Sequence, residues 1–232
     1  MDNEQEAEIV AITDFLDLKL KQGTLVHLAD IDFPGGRKAA RQYLANNLLG
    51  KTVTLRGASD KTDRWRRKSA HVVVQASGDW LQSDLIELGL ARVRPQMASK
   101  NCLDSLFQNE KRARRANKGI WQSDHFRRIA VEHAGSDRYV HNQYAVFVGK
   151  IVSVGETERW RYLNFGRNWK TDFTVRINRR SKNVIGTIEK EADMVPGNVV
   201  EVRGIVRNHD GGEVDVHHPA QLQILKRREA TW

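Results

Sequence analysis

Hydrophobic character alternates early in the chain, over short runs. The segments EIVAI (8–12), FLDLKL (15–20) and TLVHLADI (24–31) follow the period of strands with one buried face, and KQG (21–23) supplies turn chemistry between the second and third. The period then changes. In GGRKAARQYLANNLLG (35–50), Ala39, Ala40, Tyr43, Leu44, Asn47 and Leu48 share one face at helical spacing, and Gly50 is a C-terminal stop. KTVTLRG (51–57) and AHVVVQA (70–76) return to strand. DWLQSDLIELGLARV (79–93) predicts a short amphipathic helix ending near Gly89, followed by an extended piece. CLDSLFQNEKRARRANKGIW (102–121) predicts a longer helix with Leu103, Leu106 and Phe107 at core spacing. Five strands interleaved with three helices predict a small closed barrel with helices packed on it.

Residues 122–141 are polar and lack a period, which predicts a linker or a short helix. Strands resume at 144–155, 159–166, 171–178, 198–208, 213–218 and 220–225, with HDGG (209–212) as a turn and a helical segment near 183–193. This pattern predicts a second small barrel. The expected fold is mainly β with α (α+β). The expected domains are 8–121 and 142–228, joined by a linker at 122–141.

Charge changes the picture next. The net charge is +9, yet residues 1–30 carry seven acids against two lysines, a net −5, so residues 31–232 carry +14. A surface of that sign suits a polyanion, and nucleic acid is the commonest. Cys102 is the single cysteine, which excludes a disulfide framework and a thiolate zinc site. No apolar run approaches the roughly 18–20 residues of a membrane span. No signal peptide is visible, so a cytoplasmic location is expected, an exported precursor with a removed signal being the alternative.

With these pieces placed, residues 8–121 resemble the staphylococcal-nuclease (thermonuclease) family. TLVHLADIDFP resembles the family's strand leading into its acidic loop. TDRWRRKSAHVVVQASGDWLQSDLIELGLARV (62–93) resembles its arginine-bearing turn, strand and Gly-Leu-Ala segment, and NEKRARRANKGIW (109–121) the helix ending in Gly-x-Trp. The second half resembles a β-barrel module that follows the nuclease domain in some bacterial members. The resemblance implies an OB-type barrel with three helices, and Ca²⁺-dependent hydrolysis of DNA and RNA phosphodiesters. That chemistry needs metal carboxylates, a base and cations for the charge on phosphorus.

Carried onto this chain, the implied site is depleted. Leu16 stands at the family's first metal carboxylate. Asp14 and Asp17 flank it, and one step along a strand would turn each to the opposite face. Asp32 matches the second metal carboxylate, and Asp30, on the same strand face, is a further metal candidate. His27 replaces the first catalytic arginine, Gly35 replaces the catalytic glutamate, and Arg67 matches the second arginine, with Arg66 where a glycine usually stands. The resemblance therefore implies a degenerate site, with no cofactor required and Ca²⁺ relevant only to residual nuclease activity. His27 could serve as a base or a cation, since its charge changes near neutral pH.

Binding residues come from composition. Trp65, Arg66 and Arg67 join an indole for stacking to guanidiniums for phosphate. Residues 156–182 hold eight basic and three acidic residues interleaved with Trp160, Tyr162, Phe165, Trp169 and Phe173. Arg159, Trp160, Arg161, Trp169 and Lys170 are expected to bind, with Trp160 and Trp169 exposed, and Phe165 and Phe173 in the core. Glu213, Asp215 and His217 share a strand face, which reads as a solvated outer face before it reads as a metal site. The expected function is binding of nucleic acid, single-stranded DNA or RNA favoured, without efficient hydrolysis. Two alternatives stand: a divalent-metal-dependent endonuclease using Asp32, His27 and Arg67, and a protein-interaction scaffold whose partners are unknown.

Overall fold

The computed structural model describes residues 4–35, 37–58, 61–134, 143–168, 170–190, 194–207 and 211–225. The chain divides into two compact units, residues 1–124 and 125–232.

In the first unit, β1 (Gln5–Ile12), β2 (Leu18–Leu20), β3 (Leu25–Leu28), β5 (Thr52–Arg56) and β6 (Arg67–Val74) close a barrel in the order β1-β2-β3-β6-β5. All neighbours are antiparallel except β3 and β6, which run parallel with Leu25 opposite Arg67 and His27 opposite Ser69. Ile9, Leu18, Leu20, Val26, Val53, Leu55 and Val72 fill the interior, so the alternation read from sequence does mark the buried face. The small ribbon of β4 (Ile31–Asp32) and β7 (Arg92–Val93) lies off the barrel. Three helices cover it: α1 (Arg37–Leu48), α2 (Leu81–Glu87) and α3 (Lys100–Arg115). Helix α1 buries Ala40, Leu44 and Leu48, at steps of four.

Two predicted strands break early, each at a left-handed residue. Residues 13–17 form a turn instead of opening the second strand, because Leu16 takes φ +67°. The run 24–31 ends at Leu28, because Asp30 takes φ +60° and β4 restarts in a new direction. Both breaks matter for the site.

The second unit contains β8 (Ile129–Ala130), β9 (Tyr144–Lys150), β10 (Ser153–Glu156), β11 (Trp160–Asn164), β12 (Thr174–Asn178), α4 (Lys182–Lys190), β13 (Val199–Arg207), β14 (Glu213–Val216) and β15 (Leu222–Ile224). Among the described residues these strands form one sheet, β10-β11-β12-β14-β13-β9-β8, with β15 also on β13. Strands β9 and β10 are pieces of one run of chain separated by Ile151 and Val152, so the path that starts at β10 comes back to β9 before it ends on β8. Strands β12 and β14 pair in parallel, as β3 and β6 do in the first unit. Phe165 and Phe173 join the core with Phe147, Val175, Ile177 and Val202, as expected from the sequence. Residues 129–134, read from sequence as linker, contribute to this core. Strand β8 pairs in parallel with β9, and Ile129, Val131 and Ala134 are buried. Polar neighbours hid these few apolar residues from a periodicity argument.

Candidate functional site

The turn between β1 and β2 is held by Thr13. Its hydroxyl accepts from the Asp17 amide at 3.0 Å, its carbonyl accepts from the Leu16 amide at 3.0 Å, and its own amide donates to the Asp17 carbonyl at 2.9 Å. Leu16 closes this turn in left-handed geometry. Leu16 enters the core, 1% exposed, and the Asp17 carboxylate turns towards β3 and β6. Residues 13–17 are a turn and not a strand, and Asp17, expected on the face opposite Leu16, meets His27 and Arg67.

Asp17 is the centre of a cluster. His27, on the outer face of β3, places Nδ1 2.9 Å from Asp17 Oδ1. Arg67, at the start of β6, donates through Nη1 to both Asp17 oxygens at 3.2 Å. Arg67 is gripped from the other side by Asp63. That carboxylate accepts from Arg67 Nε at 2.9 Å and from the amides of Trp65 and Arg67 at 2.9 and 3.0 Å, and Arg67 Nη2 lies 2.7 Å from it. Residues 63–67 are thus an aspartate-anchored turn that aims Arg67 before the strand begins. Burial favours the neutral form of Arg67, but Asp63 and Asp17 outweigh it and raise its pKa above the ordinary value. Asp63 is also drawn down: its modest burial opposes ionisation, and the Arg67 and amide hydrogen bonds prevail. Arg66 takes φ +60°, the conformation that a glycine would adopt without cost.

The acidic loop is occupied by protein groups. Asp30 is fully buried. One oxygen accepts from the amides of Gln96 and Met97 at 2.6 and 3.0 Å. The other accepts from the Ala98 amide at 2.9 Å and faces His71 Nε2 at 3.0 Å. His71 Nδ1 in turn accepts from Trp80 Nε1 at 3.3 Å. Asp30 therefore latches the 94–98 segment and does not share a face with Asp32, contrary to the sequence expectation. The backbone reversal at Asp30 itself separates them. Asp32 pairs across the β4–β7 ribbon with Arg92, whose Nε lies 2.9 Å from Oδ2, and Arg94 is 3.9 Å from the other oxygen. Gly35 has φ +64°, and Gly36 lies outside the described residues.

Exposed aromatics border the cluster in sequence. Phe15, one residue before Leu16, is 68% exposed, with the Arg37 guanidinium 5.8 Å from its ring centroid. Trp65 is 56% exposed, with Arg64 and Arg67 guanidiniums 3.8 and 4.6 Å from its centroid. Arg64 and Arg66 are exposed, and among the described residues neither has an ion-pair partner.

In the second unit, Trp160 is half-buried, against the expectation of exposure, with the Arg159 and Arg176 guanidiniums 5.2 and 4.7 Å from its ring centroid. Arg161 lies 3.7 Å from Glu156. Arg176 donates to Asp215 at 2.8 Å and contacts Glu213 at 3.0 Å, while Arg207 meets Asp215 at 2.8 Å. Glu213 and Asp215 are therefore committed to arginines. Tyr162, Asn164, Lys170, Thr174 and Arg176 line part of an open groove of about 750 Å³ on this face. Trp169 lies outside the described residues.

Of the sequence candidates, Trp65, Arg66, Arg67 and His27 belong to one neighbourhood, Asp30 and Asp32 to separate structural contacts, and Arg159, Trp160, Arg161 and Lys170 to the second unit. Sequence reasoning missed Asp17 as a site residue, and Asp63 altogether. Asp63 carried a readable signal, an aspartate two residues before Trp65 in a polar turn. Asp17 carried none, since leucine does not announce a left-handed turn. Residues 26–123 match the family model described as staphylococcal nuclease homologue. Among curated proteins, none matches the chain.

Proposed function

With a staphylococcal-nuclease-homologue domain at residues 26–123, we propose that the protein binds single-stranded nucleic acid at the Trp65 rim of its first unit and lacks efficient metal-dependent hydrolysis. Trp65 offers a π-face for a base, and Arg64 and Arg66, which have no ion-pair partner among the described residues, offer cations for the flanking phosphates. The second unit contributes Trp160 and Arg159 as a further stacking contact. Its other arginines speak for a smaller share of the phosphate binding, because Arg161, Arg176 and Arg207 already face carboxylates.

The observation that carries the loss of hydrolysis is the commitment of the carboxylates. A Ca²⁺ ion takes six to eight oxygens, several from ionised side chains. Asp32 is paired with Arg92, Asp17 with Arg67 and His27, and Asp30 with three amides and His71. Among the described residues, no group of three or more His, Cys, Asp or Glu side chains is arranged to hold a metal ion. The residues present therefore fit the family's divalent ion poorly. Gly35 offers no base.

The test is a binding and cleavage assay on labelled single- and double-stranded DNA with Ca²⁺, Mg²⁺ or EDTA. Binding that favours single strands, weakens steeply with salt and leaves the DNA intact in every buffer is the expected outcome. Cleavage that EDTA and Arg67→Ala both abolish would establish the endonuclease alternative instead.

A further inference from the structure

Asp17, His27 and Arg67 form an arrangement that simple binding does not require. We propose that this cluster cleaves single-stranded RNA without a metal ion, by attack of the RNA's own 2′-hydroxyl on the adjacent phosphorus. The inference rests on the binding reading for bringing the strand to the Trp65 rim.

The Asp17 carboxylate is 5% exposed and acceptor-only when ionised, so His27 holds its proton on Nδ1, the nitrogen 2.9 Å away. That leaves the lone pair on Nε2. Among the described residues Nε2 has no hydrogen-bond partner, and the His27 side chain is 29% exposed. An imidazole oriented through Nδ1 by a buried carboxylate, with its second nitrogen open, has the arrangement that a general base requires. Arg67 supplies the second part. Of its five N–H groups, the contacts to Asp17 and Asp63 leave at least one on Nη2 for a phosphoryl oxygen. The two carboxylates also fix the guanidinium's position before substrate arrives, which is what makes such a donor effective in a transition state.

The chemistry follows from what the cluster lacks. Hydrolysis requires a water to be held and activated in line with the leaving group. The 2′-hydroxyl is already covalently positioned beside the phosphorus, so a lone base suffices. His27 Nε2 takes the 2′-hydroxyl proton as O2′ bonds to phosphorus. The P–O5′ bond breaks, and O5′ takes a proton from solvent water. The hydroxide left behind is neutralised by the imidazolium proton, which restores neutral His27. The products are a 2′,3′-cyclic phosphate and a 5′-hydroxyl, and no water is consumed. Asp17 is a positioning residue, acting through His27.

The test uses the full-length protein in EDTA with three oligonucleotides of one sequence: RNA, DNA, and RNA with a single 2′-deoxynucleotide at the cut position. Binding is measured on all three, and product ends are read by mass spectrometry. The expected result is cleavage of RNA alone, 2′,3′-cyclic phosphate ends, and protection at the 2′-deoxy position. His27→Gln lowers the rate by about 10²-fold or more with the thermal unfolding midpoint retained. Asp17→Asn lowers kcat at least ~10-fold with KM unchanged, whereas a merely structural role would move KM and the unfolding midpoint together. RNA that binds but stays intact overturns this inference and leaves the binding reading standing. Ends bearing a 5′-phosphate, or cleavage undiminished in His27→Gln, overturn it as well. DNA that binds while RNA does not overturns this inference alone, and a protein that binds neither overturns both readings.

Discussion

Single residues in left-handed conformation decide where the chemistry-bearing groups point. Leu16 and Asp30 both interrupt runs that alternate cleanly in sequence, and each redirects a carboxylate. At Leu16 the side chain is sacrificed to the core and Asp17 is delivered to His27 and Arg67. At Asp30 the carboxylate turns inward onto three amides and His71. Burial opposes ionisation of Asp30, but the hydrogen bonds from His71, Met97 and Gln96 prevail, and its pKa is lowered from the ordinary 3.8. A group with a depressed folded pKa stabilises the fold fully above its unfolded value and loses that contribution as pH falls through the folded value. Asp30→Asn should therefore cost roughly 1.5–3 kcal/mol at neutral pH, the range for hydrogen bonds to a charged group. The gap between wild type and variant should narrow as pH drops below 3.8. Denaturant unfolding at pH 7 and pH 3 checks both statements, and an unchanged gap would assign the stability to another group.

At the scale of elements, two motif glycines act as a clasp between helix ends. Gly89, after α2, and Gly119, after α3, have φ +68° and +53°, and the Ile120 amide donates to the Gly89 carbonyl at 2.9 Å. A Cβ on Gly89 would overlap the Lys118 carbonyl, and a Cβ on Gly119 would overlap the Gly89 carbonyl. The sequence made these residues legible as parts of Gly-Leu-Ala and Gly-x-Trp motifs, but not as contacts with each other. Gly89→Ala combines a strained backbone with a steric clash, so it should destabilise the first unit by more than about 1–2 kcal/mol. A thermal melt reads this directly. A midpoint equal to wild type would mean the two segments separate without cost.

For the molecule as a whole, the net charge of +9 gives the sign of the partner but not its place. Ion pairing decides the place. In the second unit, arginines that look like a binding stripe in sequence face Glu156, Glu213 and Asp215. In the first unit, Arg64 and Arg66 have no ion-pair partner among the described residues and stand beside an exposed indole. Replacing both by alanine should weaken single-strand binding at low salt by ~10-fold per residue. It should also flatten the slope of log affinity against log salt by about 1.4, the counterion release of two phosphate contacts on a single strand. The same change at Arg161 and Arg207 should leave the slope nearly unmodified. Salt titration of the two double variants compares the units within the same full-length protein.

The sequence by itself determined the two strand-rich halves, the small closed barrel of the first, and the core positions Phe165 and Phe173. These follow from local periodicity, which the chain carries at each residue. It also carried the resemblance to the staphylococcal-nuclease family, in several short motifs that stand in one order, and residues 26–123 match that family's model. Only the tertiary structure decided that Asp17 joins His27 and Arg67 across 10 and 50 residues of chain, that Asp63 steadies Arg67, and that Asp30 and Asp32 part company. Those outcomes depend on backbone reversals at a leucine and an aspartate, and on which cation reaches which carboxylate in space. Neither is written in the spacing of residues along the chain.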